Sequence, residues 1–192
     1  MSIQPAITEL ERAFEVFCPL FEGITGPPPV IVIQTKGRRR VSGWFCGGKW
    51  KQDETILSEI TLAAEDLAAP VEDIAMILLH EMVHFANHVR GINDCSRAQY
   101  HNRHFKRQAE AVGLIVKAGS RGFAYTTLGQ DLRHKVLRAD LRQDAFTLFR
   151  QPSEQAKQPT KMLKWSCACT NIRAATEVNA LCQACGKTFA RS

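Results

Sequence analysis

The sequence has no apolar run that approaches the roughly 20 residues a helix needs to span a bilayer. Its first 17 residues, MSIQPAITELERAFEVF, carry glutamates where a secretory signal would carry lysines, and they contain no uninterrupted apolar stretch. Both absences argue against a membrane protein and against an exported one. We therefore expect a protein of the cytoplasm.

The lack of an export signal also changes the meaning of the seven cysteines. Because the cytosol keeps thiols reduced, a disulfide framework is disfavoured, and a metal site better explains any cysteine cluster. Four of the seven cysteines lie in the last 31 residues. Cys18, Cys46 and Cys95 show no ligand spacing, and we interpret them as thiols outside any metal site.

The composition of the chain changes at the segment RQPSEQAKQPTK (residues 150–161), which is polar and contains two prolines. We predict a first domain over residues 1–150, a linker over 151–162 and a small second domain over 163–192. The formal charge of +6 is uneven, because residues 151–192 hold six Lys or Arg against two Asp or Glu, and residues 1–150 hold 19 against 17. The C-terminal part is therefore the more basic one.

Apolar periodicity predicts an α+β fold for the first domain, with a small, mostly antiparallel sheet. One helix stands out because Pro70 opens it and Gly91 follows it as a stop signal. The predicted helices cover residues 5–21, 70–90, 101–112 and 131–149, the predicted strands cover 30–35, 40–45 and 55–63, and residues 113–130 are loop or strand.

The helix that follows Pro70 carries the sequence HEMVH, in which His80 and His84 lie about one turn apart with a rise of roughly 6 Å. Both imidazoles can therefore bind one zinc ion, with Zn–N distances near ~2.1 Å. Glu81 lies beside them, in the place of a general base that takes a proton from a metal-bound water. This pattern indicates a catalytic zinc site.

The third ligand of this site has to come from another element. His88 would lie about 12 Å in rise from His80, too far for one ion to bind both, so we interpret it as a surface histidine or one that supports a ligand. The segment YHNRHF offers His101 and His104. If Phe105 faces the core, His101 lies one turn earlier on nearly the same side, whereas His104 is rotated by about 100°. We therefore favour His101, and interpret His104 as solvated or facing nucleic acid.

The segment WSCACTNIRAATEVNALCQACGKTF supplies two close cysteine pairs separated by twelve residues. This spacing is typical of a closed, tetrahedral zinc ribbon, in which the ion supplies the cohesion that about 30 residues cannot obtain from a core. The first pair is CxC rather than the usual CxxC. We predict a structural zinc ion bound by Cys167, Cys169, Cys182 and Cys185.

The segments EITLAAEDL, LLHEMVHFANHVRGINDCSRAQYHNRHF and AEAVGL, followed by the cysteine ribbon, resemble the SprT-like zinc metallopeptidases, a family that includes a DNA-dependent protease of eukaryotes. The resemblance covers residues 5–130 and 163–190. It implies a zincin-like α+β domain in which the HExxH helix forms the floor of a cleft shielded by the sheet. In that family a histidine followed four residues later by an aromatic or apolar residue supplies the third ligand, which matches His101 and Phe105.

The resemblance also implies DNA as a partner, and basic residues occur in two places that fit it. One is KGRRR (residues 36–40), which we predict to be a hairpin loop, and the other is the linker and ribbon, where we expect an exposed Trp165 or Phe189. Lys and Arg neutralise phosphates, and an aromatic ring can stack on an unpaired base, so the expected DNA is single-stranded or junction-containing. The candidate DNA contacts are Arg38, Arg39, Arg40, Lys161, Lys164, Trp165 and Arg173.

Together these features predict a zinc-dependent endopeptidase that acts on proteins associated with DNA or crosslinked to it, on the nucleoid if the host is bacterial. A second hypothesis is a non-catalytic zinc-containing module that binds nucleic acid or a protein partner. A third is a peptidase without a DNA role, whose ribbon docks proteins. Two zinc ions, one of them with an open water position, would favour the enzyme hypotheses.

Overall fold

The computed structural model describes residues 1–36, 41–152 and 162–192. The chain forms two compact units, Met1–Gln151 and Pro152–Ser192. Within the described ranges the architecture is mixed α+β, with four α-helices and three small sheets. None of these helices is long and apolar enough to cross a membrane.

The first unit contains the four helices and seven of the strands. The helices are α1 (Gln4–Phe17), α2 (Val71–Val89), α3 (Arg103–Val112) and α4 (Gln130–Arg138). The strands are β1 (Val30–Gln34), β2 (Gly43–Gln52), β3 (Thr55–Ala63), β4 (Cys95–Ser96), β5 (Tyr100–His101), β6 (Leu114–Gly119) and β7 (Gly122–Leu128). The second unit contains β8 (Leu163–Ser166), β9 (Asn171–Ala174) and β10 (Ala190–Arg191).

Helix α2 is the central element of the first unit. It contacts the other three helices, β2, β3 and β7. Its largest fully buried side chains are Ile74, Leu78, Leu79, Met82 and Phe85. Burial of each such side chain contributes about 1.5–3 kcal/mol to the free energy of folding, so this helix is held firmly between its neighbours. Side chains on its remaining face are thereby placed at fixed positions inside the unit.

The first sheet has the strand order β1-β3-β2, with β1 parallel and β2 antiparallel to β3. The prediction of a mostly antiparallel sheet holds for the pairing of β2 with β3 but not for β1, which pairs in parallel with β3 rather than with the next strand along the chain. Within the described part of the chain β1 and β2 are not neighbouring strands, and the hairpin loop predicted for KGRRR falls largely on residues that the structure does not describe. Arg38, Arg39 and Arg40 lie outside the described residues.

The second sheet has the strand order β4-β5-β7-β6. Residues 113–130, predicted as loop or strand, form the antiparallel hairpin of β6 and β7. Helix α3 begins at Arg103 rather than at His101, because Asn102 is its N-cap and accepts a hydrogen bond from the His104 backbone N–H at 2.7 Å. His101 instead lies in the extended strand β5, next to Gly122 of β7.

Helix α4 is shorter than the predicted helix over 131–149. It ends at Arg138, and Asp140 adopts a left-handed conformation with φ of 46°, which an α-helix cannot continue. The Arg12 guanidinium of α1 donates to the carbonyls of Ala139 and Asp140, so the end of α4 is anchored on α1. A separate 3-10 turn covers Gln143–Phe146.

The second unit is a three-stranded antiparallel sheet with the order β10-β8-β9. A tight turn between β8 and β9 carries Cys167 and Cys169, and the Cys167 N–H donates to the Thr170 carbonyl at 2.9 Å. A second turn carries Cys182 and Cys185, and there the Gly186 N–H donates to the Cys182 carbonyl at 2.8 Å. Both turns form from local backbone hydrogen bonds.

Candidate metal centres

Three histidines converge in the first unit. His80 and His84 come from α2, and His101 comes from β5. The Nε2 atom of His101 lies 3.2 Å from Nε2 of His80 and 3.0 Å from Nε2 of His84. The structure therefore brings together the three histidines predicted as ligands of the catalytic zinc, although it places His101 on a strand and not on the helix.

Each of the three rings is oriented by a hydrogen bond at its Nδ1 atom, and each partner lies 2.9 Å away. The partners are Oγ1 of Thr126 for His80, Oδ2 of Asp94 for His84 and the backbone carbonyl of Gln99 for His101. The Thr126 hydroxyl donates its own proton to Sδ of Met76, so it accepts from His80. With Nδ1 as the donor in each ring, the three Nε2 lone pairs face one another.

The Phe105 side chain forms an apolar support behind the three rings. Its ring centroid lies 4.7 Å from those of His80 and His84 and 4.6 Å from that of His101. Phe105 is fully buried at the start of α3. Burial and the neighbouring imidazoles of His84 and His101 hold the pKa of His80 well below its usual value. Neutral imidazole is the form that binds a metal ion.

The pKa values of His84 and His101 shift in opposite directions, because only His84 is hydrogen-bonded to a carboxylate. Burial, together with the neighbouring His84, lowers the pKa of His101 to about 4. Burial is the largest influence on the pKa of His84 and acts to lower it, but the hydrogen bond to Asp94 and the negative charges of Glu81 and Asp94 together raise that pKa above its usual value. Asp94 is itself buried, and it also accepts a hydrogen bond at 2.9 Å from Nδ2 of Asn87.

Glu81 lies on the same face of α2 as the two histidines and lines the same cleft. Burial raises the pKa of its carboxyl to about 7. Its Oε1 atom would lie 3.1 Å from a Cβ at Gly43, so the backbone of β2 packs closely against the carboxylate. A carboxyl with a pKa near neutrality can both accept and release a proton under ordinary conditions.

The cleft over these residues has a volume of about 1000 Å³. One wall is formed by β2, including Trp44 and Phe45, the floor by α2, and the other wall by the β6–β7 hairpin. Met76 and Ile77 extend the floor along α2, one turn before the histidines. The three histidines and Glu81 therefore lie in one cleft between β2 and the β6–β7 hairpin.

The two histidines that were not favoured as ligands lie elsewhere. His88 is exposed and packs against Phe45, with ring centroids 5.3 Å apart, and it is not part of the histidine cluster. His104 is the second residue of α3 and is also outside the cluster.

Three contributors to the site were not identified from the sequence: Asp94, Thr126 and the Gln99 carbonyl. No motif spacing identifies them, because tertiary structure, and not a local sequence pattern, brings these loop and strand residues to the histidines.

The four cysteines of the second unit also form one cluster, with all their Sγ atoms within 4.8 Å of one another. Sγ of Cys169 lies 3.7 Å from that of Cys167 and 3.6 Å from that of Cys182. Hydrogen bonds from the backbone N–H groups of Cys185 and Ala184 lower the pKa of Cys182. These N–H groups therefore favour the thiolate, which is the form that binds metal.

Both donor sets fit zinc. Tetrahedral zinc with Zn–N bonds of about 2.0–2.1 Å and Zn–S bonds of about 2.3 Å requires ligand separations of roughly 3.3 Å between nitrogens and 3.8 Å between sulfurs. The observed Nε2 separations of 3.0 and 3.2 Å and the Sγ separations of 3.6 and 3.7 Å lie close to these values. The histidine cluster and the cysteine cluster can each hold a metal ion.

The candidate DNA contacts of the second unit differ in exposure. Lys164 and Arg173 are exposed and lie opposite each other in the register of β8 and β9. Trp165 is 7% exposed, so the expectation of an exposed aromatic was wrong for Trp165, whereas Phe189 is partly exposed. Side chains alternate along a strand, and β8 directs Lys164 outward and Trp165 inward. Lys161 lies outside the described residues.

No protein-family model, curated protein or solved structure matched this chain in the comparisons.

Proposed function

We propose that the protein is a zinc-dependent endopeptidase of the SprT-like, zincin-like type, which acts on proteins associated with DNA or crosslinked to it. The observation that supports it best is the convergence of three Nδ1-anchored imidazoles beside the Glu81 carboxylate in an open cleft. Three nitrogen ligands leave one coordination position free, which is the arrangement of catalytic rather than structural zinc.

His80, His84 and His101 would hold the zinc ion through their Nε2 atoms. Zinc bound there supplies a Lewis acid that polarises a carbonyl group and makes a nearby water molecule more acidic. Glu81 accepts a proton from the attacking water while the water oxygen bonds to the scissile carbonyl carbon. Glu81 then returns the proton to the amide nitrogen, so that the C–N bond breaks and a carboxylate and an amine are released.

The shape of the cleft favours a polypeptide over a small molecule as the substrate. Its volume of about 1000 Å³ is at the upper end of the range for small-ligand sites, roughly 300–1000 Å³. Its walls combine apolar side chains with strand backbone, which suits an extended peptide whose own backbone needs hydrogen-bond partners. Recognition along a cleft of this kind is consistent with internal cleavage of a chain.

The DNA part of the proposal is supported by the basic second unit. Lys164 and Arg173 present two adjacent positive charges on one face of the ribbon sheet. Phosphates bind such pairs without regard to sequence, so the ribbon would recruit the enzyme to DNA in the cytoplasm or on the nucleoid. In the variant Lys164→Gln/Arg173→Gln, zinc content should be unchanged while DNA affinity and its salt dependence decrease.

The decisive experiment replaces Glu81 by Gln, which removes the base but keeps the size of the side chain. Cleavage of a denatured protein substrate by the zinc-loaded chain should fall by about 10²–10⁴-fold, because general acid–base catalysis contributes that much. The matched control is Glu59→Gln, which alters another buried carboxylate, hydrogen-bonded to Trp50 and Thr61, that does not line the cleft. The control should cleave like the wild type.

Zinc content decides how a negative result is interpreted. If Glu81→Gln retains both zinc ions and full cleavage, the mechanism is wrong. If the zinc-loaded wild type cleaves no protein with or without DNA, the chain is a non-catalytic zinc module, the alternative function.

A further inference from the structure

The proposed reaction places negative charge on an oxygen atom for which no side chain has yet been assigned. When water attacks the scissile carbonyl group, the carbonyl oxygen becomes an anion in a tetrahedral intermediate. Glu81 takes the proton of the water, and an ionised carboxylate has no hydrogen to donate to an anion. A donor aimed at such an oxygen contributes about 10²–10³-fold to kcat. The cleft is the place to look for this donor.

The position of Glu81 limits where the donor can lie. The Glu81 carboxylate packs against β2, because its Oε1 atom would lie 3.1 Å from a Cβ at Gly43. A cation in contact with Glu81 would favour the ionised carboxylate and weaken it as a base, so the donor belongs on another wall. The opposite wall is the β6–β7 hairpin, from which two cations, Lys117 and Arg121, line the cleft.

The backbone of Arg121 is held next to one of the three clustered histidines. The His101 backbone N–H donates to the Arg121 carbonyl at 3.0 Å, and His101 is paired with Gly122. Gly122 has a φ of 67°, and a Cβ there would lie 2.1 Å from the His101 carbonyl oxygen, so only glycine permits this close approach. Arg121 therefore has a fixed backbone position beside the histidine cluster.

The Arg121 side chain is a charged donor without a carboxylate partner. It is exposed and lines the cleft, and no ion pair joins it to a carboxylate within the described part of the chain. Burial and the neighbouring His84 are the main causes that lower the pKa of His101, and the positive charge of Arg121 adds to them. The guanidinium carries five N–H donors in a rigid fork and stays charged at ordinary pH.

The other donors on this wall are placed less well. Lys117 lies opposite Tyr125, and Tyr125 is three residues beyond Gly122, which is about 10 Å farther along the strand from His101. The Tyr125 ring folds over Gly119, where a Cβ would lie 2.2 Å from the Tyr125 Cε2 atom. In its backbone position Arg121 is therefore the closer of the two cations to the histidines.

We propose that Arg121 is a catalytic residue, which donates hydrogen bonds to the negatively charged oxygen of the tetrahedral intermediate. Arg121 binds this oxygen from the hairpin wall while Glu81 holds the proton of the water on the β2 wall. When the C–N bond breaks, the oxygen returns its electron pair to the carbon, Glu81 protonates the leaving nitrogen, and the charge next to Arg121 is lost. The inference rests on the proposed function, because it assigns a donor for that reaction.

The first test measures kcat and KM of the zinc-loaded full chain with a denatured protein substrate. Arg121→Gln should lower kcat by about 10²–10³-fold and change KM by less than threefold, because the donor acts mainly on the transition state. Arg121→Lys keeps the charge but not the fork, so its kcat should lie between those of the wild type and Arg121→Gln. Two zinc ions per chain in each variant show that both metal centres are intact.

Two variants of the same wall serve as controls. Lys117→Gln removes the other cation, and Tyr125→Phe removes only a hydroxyl group; each should change kcat by less than threefold. Wild-type kcat in Arg121→Gln would overturn the assignment. Equal losses in Arg121→Gln and Lys117→Gln would overturn it too, because the general positive charge of the wall would then explain the effect.

The second test measures binding and involves no cleavage. The probe is the phosphinic analogue of acetyl-Phe-Leu amide, in which a PO₂–CH₂ unit replaces the central CO–NH and carries one negative charge on its tetrahedral oxygens. Its apolar side chains suit the Met76 and Ile77 floor of the cleft. Isothermal titration calorimetry should show about 10²-fold weaker binding to Arg121→Gln and less than a threefold change in Lys117→Gln. Unchanged affinity in Arg121→Gln would contradict the proposal.

The two proposals can fail separately. If Glu81→Gln abolishes cleavage but Arg121→Gln cleaves and binds the analogue like the wild type, the peptidase stands and Arg121 is not the donor. If the wild type cleaves nothing but its affinity for the analogue depends on Arg121, the anion-binding role stands and the peptidase proposal fails. If the wild type neither cleaves protein nor binds the analogue, both proposals are wrong.

Discussion

The histidine cluster and the cysteine cluster have zinc-like spacing, but they are assembled in different ways. The histidines come from α2 and β5, and their Nδ1 atoms are held by Thr126, Asp94 and the Gln99 carbonyl, which lie on different segments. The cysteines come from two tight turns within a unit of 41 residues. The first site depends on the tertiary fold around it, whereas we expect the second unit to depend on a bound metal ion for its stability.

The two clusters also differ in the number of ligands that they offer to a metal ion. Four cysteine ligands fill a tetrahedron, so a metal ion bound by them has no position for a substrate. Three histidines leave one position, and here that side of the cluster faces a cleft that also contains Glu81. On the proposed function, zinc would stabilise the fold at the cysteine site and take part in catalysis at the histidine site.

The largest expected effect is on the second unit. In Cys182→Ser, this unit should lose its metal and unfold, because structural zinc supplies apparent binding energies of about 10–16 kcal/mol to domains of this kind. Hydrogen exchange should show loss of protection in β8 and β9, while α2 keeps its protection. Retained protection in β8 and β9 would mean that the second unit folds without its metal.

The next effect is confined to the cleft. In Gly43→Ala, the new Cβ would lie 2.9 Å from Cγ2 of Ile77 and 3.1 Å from Oε1 of Glu81, so the carboxylate must move. We expect a loss of about 10²-fold in kcat with unchanged zinc content, because a displacement near 1 Å can cost that much.

The matched control for Gly43→Ala is Gly47→Ala on the same strand, where the new Cβ would press on the exposed His88 ring instead. It should keep wild-type activity. Equal losses in the two variants would indicate a general distortion of β2 rather than an effect on Glu81.

The smallest expected effect concerns the support of one ligand. Asp94→Ala removes the acceptor of the His84 Nδ1–H, and zinc affinity at the histidine site should fall by about 10–100-fold, as it does when such partners are lost. Competition with a chelator measures this affinity, and Glu59→Gln serves as the buried-carboxylate control. An unchanged affinity in Asp94→Ala would show that the path of the chain alone orients His84.

Several parts of this structure follow from local patterns. Helix α2 was predicted within one residue at each end, because Pro70 and Gly91 mark its limits and its apolar face is regular. The approach of His80 to His84 follows from helix geometry, and the cysteine cluster follows from the spacing of its two pairs. Mixed α+β content also follows from strand and helix periodicity.

Other parts depend on contacts between distant segments, which local patterns do not encode. The pairing of β1 with β3 instead of β2 is one case. His101 is another case. The helical argument correctly favoured it as a member of the cluster, but Asn102 is the N-cap of α3, so His101 lies before the helix and not on it. Asp94 and Thr126 reach the histidines through long-range packing, and the burial of Trp165 depends on which face of β8 meets the rest of its unit.

The most direct test of this account is the zinc content of purified variants, combined with zinc X-ray absorption spectroscopy. The wild type and His104→Ala should each hold two zinc ions per chain. His101→Ala should keep one ion with sulfur ligands, and Cys182→Ser should keep one ion with nitrogen and oxygen ligands. Two retained ions in His101→Ala, with one lost in His104→Ala, would contradict the assignment of the histidine site.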